Sequence, residues 1–313
     1  MPLWEKRGVI FAAGGEYGWM NSHAQVPTAL LLHDRLRVYF ATRPRRELSL
    51  PAFIDLDRND PSRIIALHDR PILEPGRPGT FDCDGVMPSA AVRDDKRVLL
   101  YYSGWCGLSG RVPFNNATGL AVSIDDGATF ERMFEGPILD RTPNEPWSAS
   151  SPAVVRTDDR WYMWYSSGTG WIDVESELEN VYVLKRATSS DGIHWLRDHR
   201  PIFPSSPVDE SQTKPTIIKS SGGGWHMWFC YRGSRGFREN GQTYRIGYAW
   251  STDLETWQRD DVAAGIDVST NGWDAQMIAY PEAIAVDDET FLFYNGNGFG
   301  TSGFGYAVLV KQR

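Results

Sequence analysis

Long apolar runs are missing from this 313-residue chain. No stretch approaches the roughly 18 to 20 apolar residues of a membrane-spanning helix, so no membrane partner is expected. Cysteine is scarce: Cys83, Cys106 and Cys230 cannot all pair and none stands in CxxC spacing, which excludes a disulfide framework and a zinc ribbon. They read as thiols of a reducing compartment. Cys83 lies between two aspartates, whose charge raises a thiol pKa, so it reads as structural. Six histidines without paired spacing give no metal-ligand pattern, and no metal is expected. Excess positive charge is absent too. With 32 basic against 40 acidic residues the net charge is -8, which offers no overall attraction to nucleic acid. The amino terminus, "MPLWEKRGVIFAAGG", carries charge where a signal peptide has an apolar centre, so a cytoplasmic location is expected. No HExxH, nucleophile elbow, P-loop or dinucleotide fingerprint occurs, and no cofactor is expected.

What the chain has in quantity is aromatic side chains, 13 Trp, 13 Tyr and 14 Phe, an excess that favours strands. It also repeats. Pro27, Pro88, Pro152, Pro215 and Pro281 recur at intervals of 61 to 66 residues. Each is followed by a short apolar strand, a charged or Gly-rich turn, and an aromatic strand: "LRVYFATR", "RVLLYYSGW", "RWYMWYSSG", "GWHMWFCYRG" and "TFLFYNGNG". Three copies continue into a third strand and tight turn, in "GLAVSIDDGATFERM", "KRATSSDGIHWLRD" and "IGYAWSTDLETWQRD". The first fits the Asp-box pattern, a structural turn signal.

The fifth copy ends early, at "GFGYAVLVKQR". The beginning of the chain supplies its missing strand, because "LWEKRGVIF" resembles "HWLRDHRPIF" and "TFERMFEGPIL". Joining the first and last segments in one sheet removes exposed edges. The expected fold is all-β: one five-bladed β-propeller domain over residues 1–313, closed by pairing of the N-terminal strand with the last blade.

In such a fold the loops leading into the innermost strands gather at one end of a channel. Acids recur there: Asp82 and Asp84, Glu145, Asp209 and Glu210, and Asp274. Carboxylates brought close raise one another's pKa, so one can act as acid while another stays ionised. Glycosidic-bond cleavage needs such a pair, roughly 5 to 9.5 Å apart according to stereochemistry. Asp82, Glu145, Asp209, Glu210 and Asp274 are the catalytic candidates. His23, Gln25, Arg43, Asp84, Trp105, Trp171, Lys214, Arg232, Tyr280 and Asn295 are the substrate-binding candidates. Trp faces stack on sugar rings, while Arg and Asn fork onto hydroxyls, carboxylates or phosphates. For Arg43 and Arg232, charge balance beside the acids is the alternative. The expected partner is a carbohydrate or sugar-phosphate small molecule.

These motifs resemble the five-bladed propeller glycosidases of glycoside hydrolase families 32, 43, 62, 68 and 130. "SHAQVP", "GVMPS", "GWD…MIAYP" and "YNGNGFG…GFGYAVL" are more closely similar to a bacterial glycosidase-like group. Resemblance to family 43 implies three acids acting as base, pKa modulator and general acid. Asp82 or Asp84 matches the modulator and Glu145 or Glu210 the acid, but His23 stands where the base is expected. Resemblance to family 130 implies a single carboxylic acid, with phosphate held by basic groups such as His23, Arg43, Lys214 and Arg232. The implied function is a glycoside hydrolase or phosphorylase. The alternative is a non-catalytic propeller that binds a glycan or nucleotide sugar.

Overall fold

A computed structural model of the chain describes residues 2–174, 177–204, 206–207, 209–220, 222–238 and 242–310. Nearly all regular structure in it is strand. After β1 (Trp4–Phe11), the first repeat gives β2 (Ser22–Leu31), β3 (Arg35–Arg45), β4 (Leu48–Asp57) and β5 (Ile64–Leu67). The second gives β6 (Gly85–Asp94), β7 (Arg97–Gly107), β8 (Phe114–Ser123) and β9 (Glu131–Arg132), and the third β10 (Ala149–Arg156), β11 (Trp161–Val174), β12 (Glu177–Ser189) and β13 (Leu196–Pro201). The fourth gives β14 (Glu210–Lys219), β15 (Trp225–Gly233), β16 (Arg245–Ser251) and β17 (Gln258–Arg259), and the fifth β18 (Ala279–Val286), β19 (Glu289–Asn295) and β20 (Phe304–Leu309).

Within each repeat the strands are hydrogen-bonded in chain order. The fifth repeat has three strands of its own, and β1 adds the fourth, antiparallel to β20 from Trp4↔Leu309 to Phe11↔Phe304. No sheet closes on itself among the described residues. No helix among them is long and apolar enough to cross a membrane.

The chain falls into two compact units. The first comprises Met1–Ile72, Thr216–Cys230 and Arg245–Arg313, and the second Leu73–Pro215 and Tyr231–Tyr244. In the first unit, Phe40, Ile54, Phe293 and Phe304 belong to one buried cluster, and Trp4, Trp228, Tyr248 and Tyr294 to another. In the second unit the cluster contains Tyr101, Trp161, Met163 and Tyr165. These residues lie mostly on second strands, whose sequences are apolar in unbroken runs because both faces are covered.

Two devices recur at the first strands. The ladder slips by a bulge around the repeat proline in β2, β6, β10 and β18. The residue just before the proline is left-handed in four repeats: Val26, Ser151, Lys214 and Tyr280 have φ of 55°, 52°, 45° and 54°. Such strain in non-glycine residues persists only where the surroundings over-determine it. Bulges also re-aim side chains, often beside sites. Within the first unit, the Ala29 N–H donates to Glu282 Oε1 at 3.3 Å and the Ala283 N–H to Thr216 Oγ1 at 2.9 Å. The first strands of the fourth, fifth and first repeats therefore lie side by side.

The Asp-box turn is structural, as its pattern implies. Asp125 Oδ1 accepts from Ser123 Oγ and from the N–H groups of Ala128 and Thr129. Burial raises its pKa, but the Ser123 and Thr129 bonds outweigh that and lower it to about 2. Ser189 with Asp191 and Ser251 with Asp253 repeat the arrangement.

The β1 graft rests on Trp4, which is 6% exposed and meets Trp228 edge to face at 5.1 Å. Trp4→Ala should cost about 3–5 kcal/mol in urea denaturation, the usual cost of truncating a buried Trp. A loss below about 1 kcal/mol would mean that β1 does not anchor the fifth repeat.

Candidate functional site

Three of the acids expected to be catalytic occupy one repeated structural position. The Asp82 carboxylate is fully buried and accepts from Tyr102 Oη at 3.0 Å, Thr80 Oγ1 at 2.9 Å and Arg132 Nε at 2.8 Å. Glu145 accepts from Tyr165 Oη at 3.0 Å, Ser167 Oγ at 2.9 Å and Arg197 Nη1 at 3.3 Å, with His199 Nδ1 at 2.6 Å. Asp274 accepts from Tyr294 Oη at 3.0 Å and Lys6 Nζ at 2.7 Å. In each case the tyrosine stands twenty residues after the acid. The cation always comes from the outermost strand, opposite an alanine: Arg132↔Ala121, Arg197↔Ala187 and Lys6↔Ala307.

This is an acid–tyrosine–cation latch that ties the approach to the first strand, the second strand and the fourth. Burial, and then the acid's charge, push the Tyr102, Tyr165 and Tyr294 phenols well above their ordinary value, so each stays a donor. The remaining repeats vary the theme. In the first, Met20 and Phe40, again twenty apart, are fully buried in one cluster, and Leu67 packs on it from the outermost strand. In the fourth, Phe229 replaces the tyrosine, and Arg259 covers its ring at 5.2 Å and pairs with Asp261 at 2.7 Å. Asp82, Glu145 and Asp274 are thus each hydrogen-bonded within their own sheet.

In the first unit the structure gathers His23, Gln25, Arg43 and Asn295. Asn295 is fully buried: Nδ2 donates to Ala24 O at 2.6 Å and Gly303 O at 2.8 Å, and Oδ1 accepts from Val26 N at 2.8 Å. It therefore holds the strained β2 bulge. Gln25 accepts from Arg43 Nε at 3.0 Å and donates to Phe299 O at 2.6 Å. His23, at φ 63°, meets Thr301 Oγ1 through Nε2 at 3.0 Å and Ser22 Oγ through Nδ1 at 2.9 Å. Burial, and then the Arg43 charge, lower its pKa to about 4, so the ring is neutral at pH 7. Tyr280 stands half-buried at the start of β18.

In the second unit the centre is Arg232, 4% exposed. No carboxylate pairs with it among the described residues. Its Nη1 donates to Gly233 O at 3.0 Å and its Nη2 to Asn180 O at 3.2 Å. The guanidinium lies 3.6 Å from the Phe237 ring centroid, 5.3 Å from Tyr182 and 5.6 Å from Tyr244. Its Nε and the neighbouring Asn180 Oδ1 are buried without hydrogen-bond partners among the described residues. Asp209 joins this centre through its backbone: its C=O accepts from Ser234 N at 2.8 Å, Ser234 Oγ meets Ser211 Oγ at 2.9 Å, and Ser211 donates to Asn180 O. The Asp209 side chain is exposed and Glu210 is half-buried, accepting from Gln212 Nε2 at 2.8 Å. Lys214, 1% exposed, lies further along β14. Trp171 is half-buried and edge to face with Phe114 at 5.4 Å, Trp105 is half-buried on β7, and Asp84 accepts from Gly107 N at 2.8 Å. Sequence reasoning missed Asn180, Tyr182, Phe237 and Tyr244. Their only signal is aromatic content around Arg232 in "CYRGSRGF" and "TYRIG". No group of three or more His, Cys, Asp or Glu among the described residues is arranged to hold a metal ion.

No protein-family model matches the chain. Two Mycobacterium tuberculosis proteins described as uncharacterized, MT1551 (strain CDC 1551 / Oshkosh) and Rv1502 (strain ATCC 25618 / H37Rv), are each 37% identical over 308 residues, covering 98% of this chain and 99% of theirs. A beta-1,2-mannobiose phosphorylase of Thermoanaerobacter sp. (strain X514) is 27% identical over 121 residues, 36% of this chain and 40% of that protein. The fold is that of glycoside hydrolase propellers. A solved glycoside hydrolase superimposes with a TM-score of 0.74 at 18% identity, covering 98% of this chain and 91% of its own. A thermostable family-43 glycoside hydrolase gives 0.63 at 14%, covering 96% and 91%.

Two predictions follow from the titrating groups. Burial raises the Glu145 pKa, but His199, Lys185, Ser167 and Arg197 together bring it below 4.5. Its stabilisation is thus full above the unfolded value and is lost as pH falls through the folded one. Glu145→Gln should cost about 3–5 kcal/mol at pH 7, as breaking a buried pair does, and flatten the acid limb of a stability–pH profile. His23 has a folded value of about 4 against 6.5. Above pH 6.5 it is neutral in both states, while between 6.5 and 4 only the unfolded chain gains the proton, so stability falls there. His23→Gln should remove that fall, read as the midpoint of thermal unfolding across the same pH range.

Proposed function

We propose, for a chain that belongs to the same family as the two Mycobacterium tuberculosis relatives, a carbohydrate-active enzyme on a five-bladed β-propeller: a glycoside hydrolase or phosphorylase whose reacting groups lie in the second unit. Five repeats and the addition of β1 to the fifth support the blade count.

The observation that carries the reading is Arg232. Among the described residues this buried guanidinium meets no carboxylate, and its carbonyl, phenol and ring contacts offset only part of the cost of burying it. An anionic substituent of the ligand, a phosphate or a sugar carboxylate, would complete it through a charge-assisted bond. Lys214 adds charge on the same side of the chemistry. Trp105 and Trp171 offer ring faces for sugars. With three acids committed to latches, Asp209 and Glu210 are the carboxylates left for acid–base chemistry, and Asp84 serves binding. His23, Gln25, Arg43 and Tyr280 are binding candidates of the first unit. The name of the Thermoanaerobacter relative supports phosphorolysis as the form of the reaction.

A second reading is binding of a glycan or nucleotide sugar without cleavage. The latched acids favour it, because they take three of the five carboxylates out of the catalytic set.

A panel of aryl glycosides and oligosaccharides, acidic sugars included, assayed with and without phosphate, decides between these. The enzyme reading expects turnover that falls about 10²- to 10⁴-fold in Glu210→Gln or Asp209→Asn, the range of general acid–base catalysis. Turnover unaffected by both substitutions overturns the assignment. Ligands that raise the unfolding midpoint in an Arg232-dependent way, with no bond broken, establish the second reading.

A further inference from the structure

The sequence gives no reason to pair any of the three cysteines, yet the fold sets two of them side by side. Cys83 lies in the turn that approaches β6, and Cys106 is the penultimate residue of β7. The β6–β7 ladder closes at Gly85↔Trp105 and is extended by the Asp84 N–H donating to Trp105 O at 3.2 Å and by the Gly107 N–H donating to Asp84 Oδ2 at 2.8 Å. That clasp holds the approach turn against the end of β7, so Cys83, beside Asp84, and Cys106, beside Trp105, stand across it from each other, and Cys83 contributes to the raised pKa of the Cys106 thiol. Cys83 Sγ also donates to Asp84 Oδ2 at 3.7 Å. Both cysteines are half-buried, whereas Cys230 is fully buried.

We propose that Cys83 and Cys106 form a reversible dithiol–disulfide couple, oxidised by hydrogen peroxide or a related hydroperoxide. The thiolate of one cysteine attacks a peroxide oxygen, the O–O bond breaks, and sulfenic acid and hydroxide form; the hydroxide takes a proton to become water. The second sulfur then attacks the sulfenic sulfur. The S–S bond forms as the S–O bond breaks, and the proton of the second thiol leaves with the hydroxyl as another water. Two electrons pass from the sulfurs to the peroxide oxygens, and a dithiol reductant reverses the change.

The groups facing the pair set its rate. Burial, Cys83 and Asp84 hold the Cys106 thiol above its ordinary value against the Asn115 backbone contact, so it is mostly protonated at neutral pH. The pair therefore oxidises more slowly than an exposed low-pKa sensor cysteine. Contact, not thiolate fraction, selects the product: a sulfenic acid formed on either residue has its resolving thiol already beside it. The disulfide would fasten the turn carrying Asp84 to the strand end carrying Trp105.

The test treats the full-length chain with hydrogen peroxide, blocks the remaining thiols with an alkylating agent, and maps unreduced peptides by mass spectrometry. The expected result is loss of two of the three thiols and a peptide pair joined through Cys83 and Cys106, lighter by two hydrogens and split by dithiothreitol, with Cys230 alkylated. Cys83→Ser and Cys106→Ser should each abolish the cross-link, while Cys230→Ser should keep it. Sulfinic or sulfonic acid at Cys83 or Cys106 with no joined peptide, or a cross-link only between two copies of the chain, would overturn the proposal. Because the wild-type map decides by itself, a misfolded variant does not obscure the answer, and neither outcome depends on whether the protein cleaves sugars.

Discussion

A buried carboxylate shared between a phenol and a cation holds three of the five repeats together. The outermost strand of the second repeat is too short to hold by ladder bonds alone, since β9 is two residues. In the second repeat Arg132 anchors β9 by reaching Asp82, and Asp82 in turn fixes the turn before β6 to Tyr102 on β7. Lys6 does the same for β1, which is how the N-terminal strand is bound to a sheet whose other members lie nearly three hundred residues away. The ion pair is one solution to a packing problem. Met20, Phe40 and Leu67 solve it in the first repeat with apolar contact, in keeping with the near equivalence of a satisfied buried pair and well-packed hydrophobic side chains.

Much of the fold was legible because the repeat leaves marks at fixed spacing. The five prolines located the first strands, the aromatic runs located the second, and likeness between "LWEKRGVIF" and the segments after the hairpins assigned β1 to the last repeat. The left-handed residues before the prolines were not legible. Val26, Ser151, Lys214 and Tyr280 carry none of the usual signs of positive φ, and Val26 is β-branched. Their conformation is imposed from elsewhere, by Asn295 on Val26 N and by Ser103 Oγ on Ser151 N. Local sequence cannot report a constraint set by a residue far along the chain.

The candidate site was half legible for the same reason. An acid before four of the five repeat prolines is visible, but its partner is not, since Arg132, Arg197 and Lys6 are distant from the acids they meet. Two features together carried the signal: an acid and a tyrosine twenty residues apart, and an aromatic-x-cation pattern at Phe130–Arg132, Trp195–Arg197 and Trp4–Lys6. Arg232 is the opposite case. Its sequence context is basic and aromatic, with Glu239 the one acid between residues 211 and 250, and the fold surrounds it with rings and leaves Nε without a partner among the described residues. What marks Arg232 out is a buried Nε without a partner among the described residues, which composition does not record.

The central claim is that Asp82, Glu145 and Asp274 are structural. Its most direct test moves the apolar solution of the first repeat into the second, comparing Asp82→Asn alone with the triple variant Asp82→Met, Tyr102→Phe, Arg132→Leu by urea denaturation. The latch predicts a loss of about 3–5 kcal/mol for the single substitution and recovery of most of it in the triple variant. A single variant as stable as the wild type, or a triple variant no better than the single one, would contradict it.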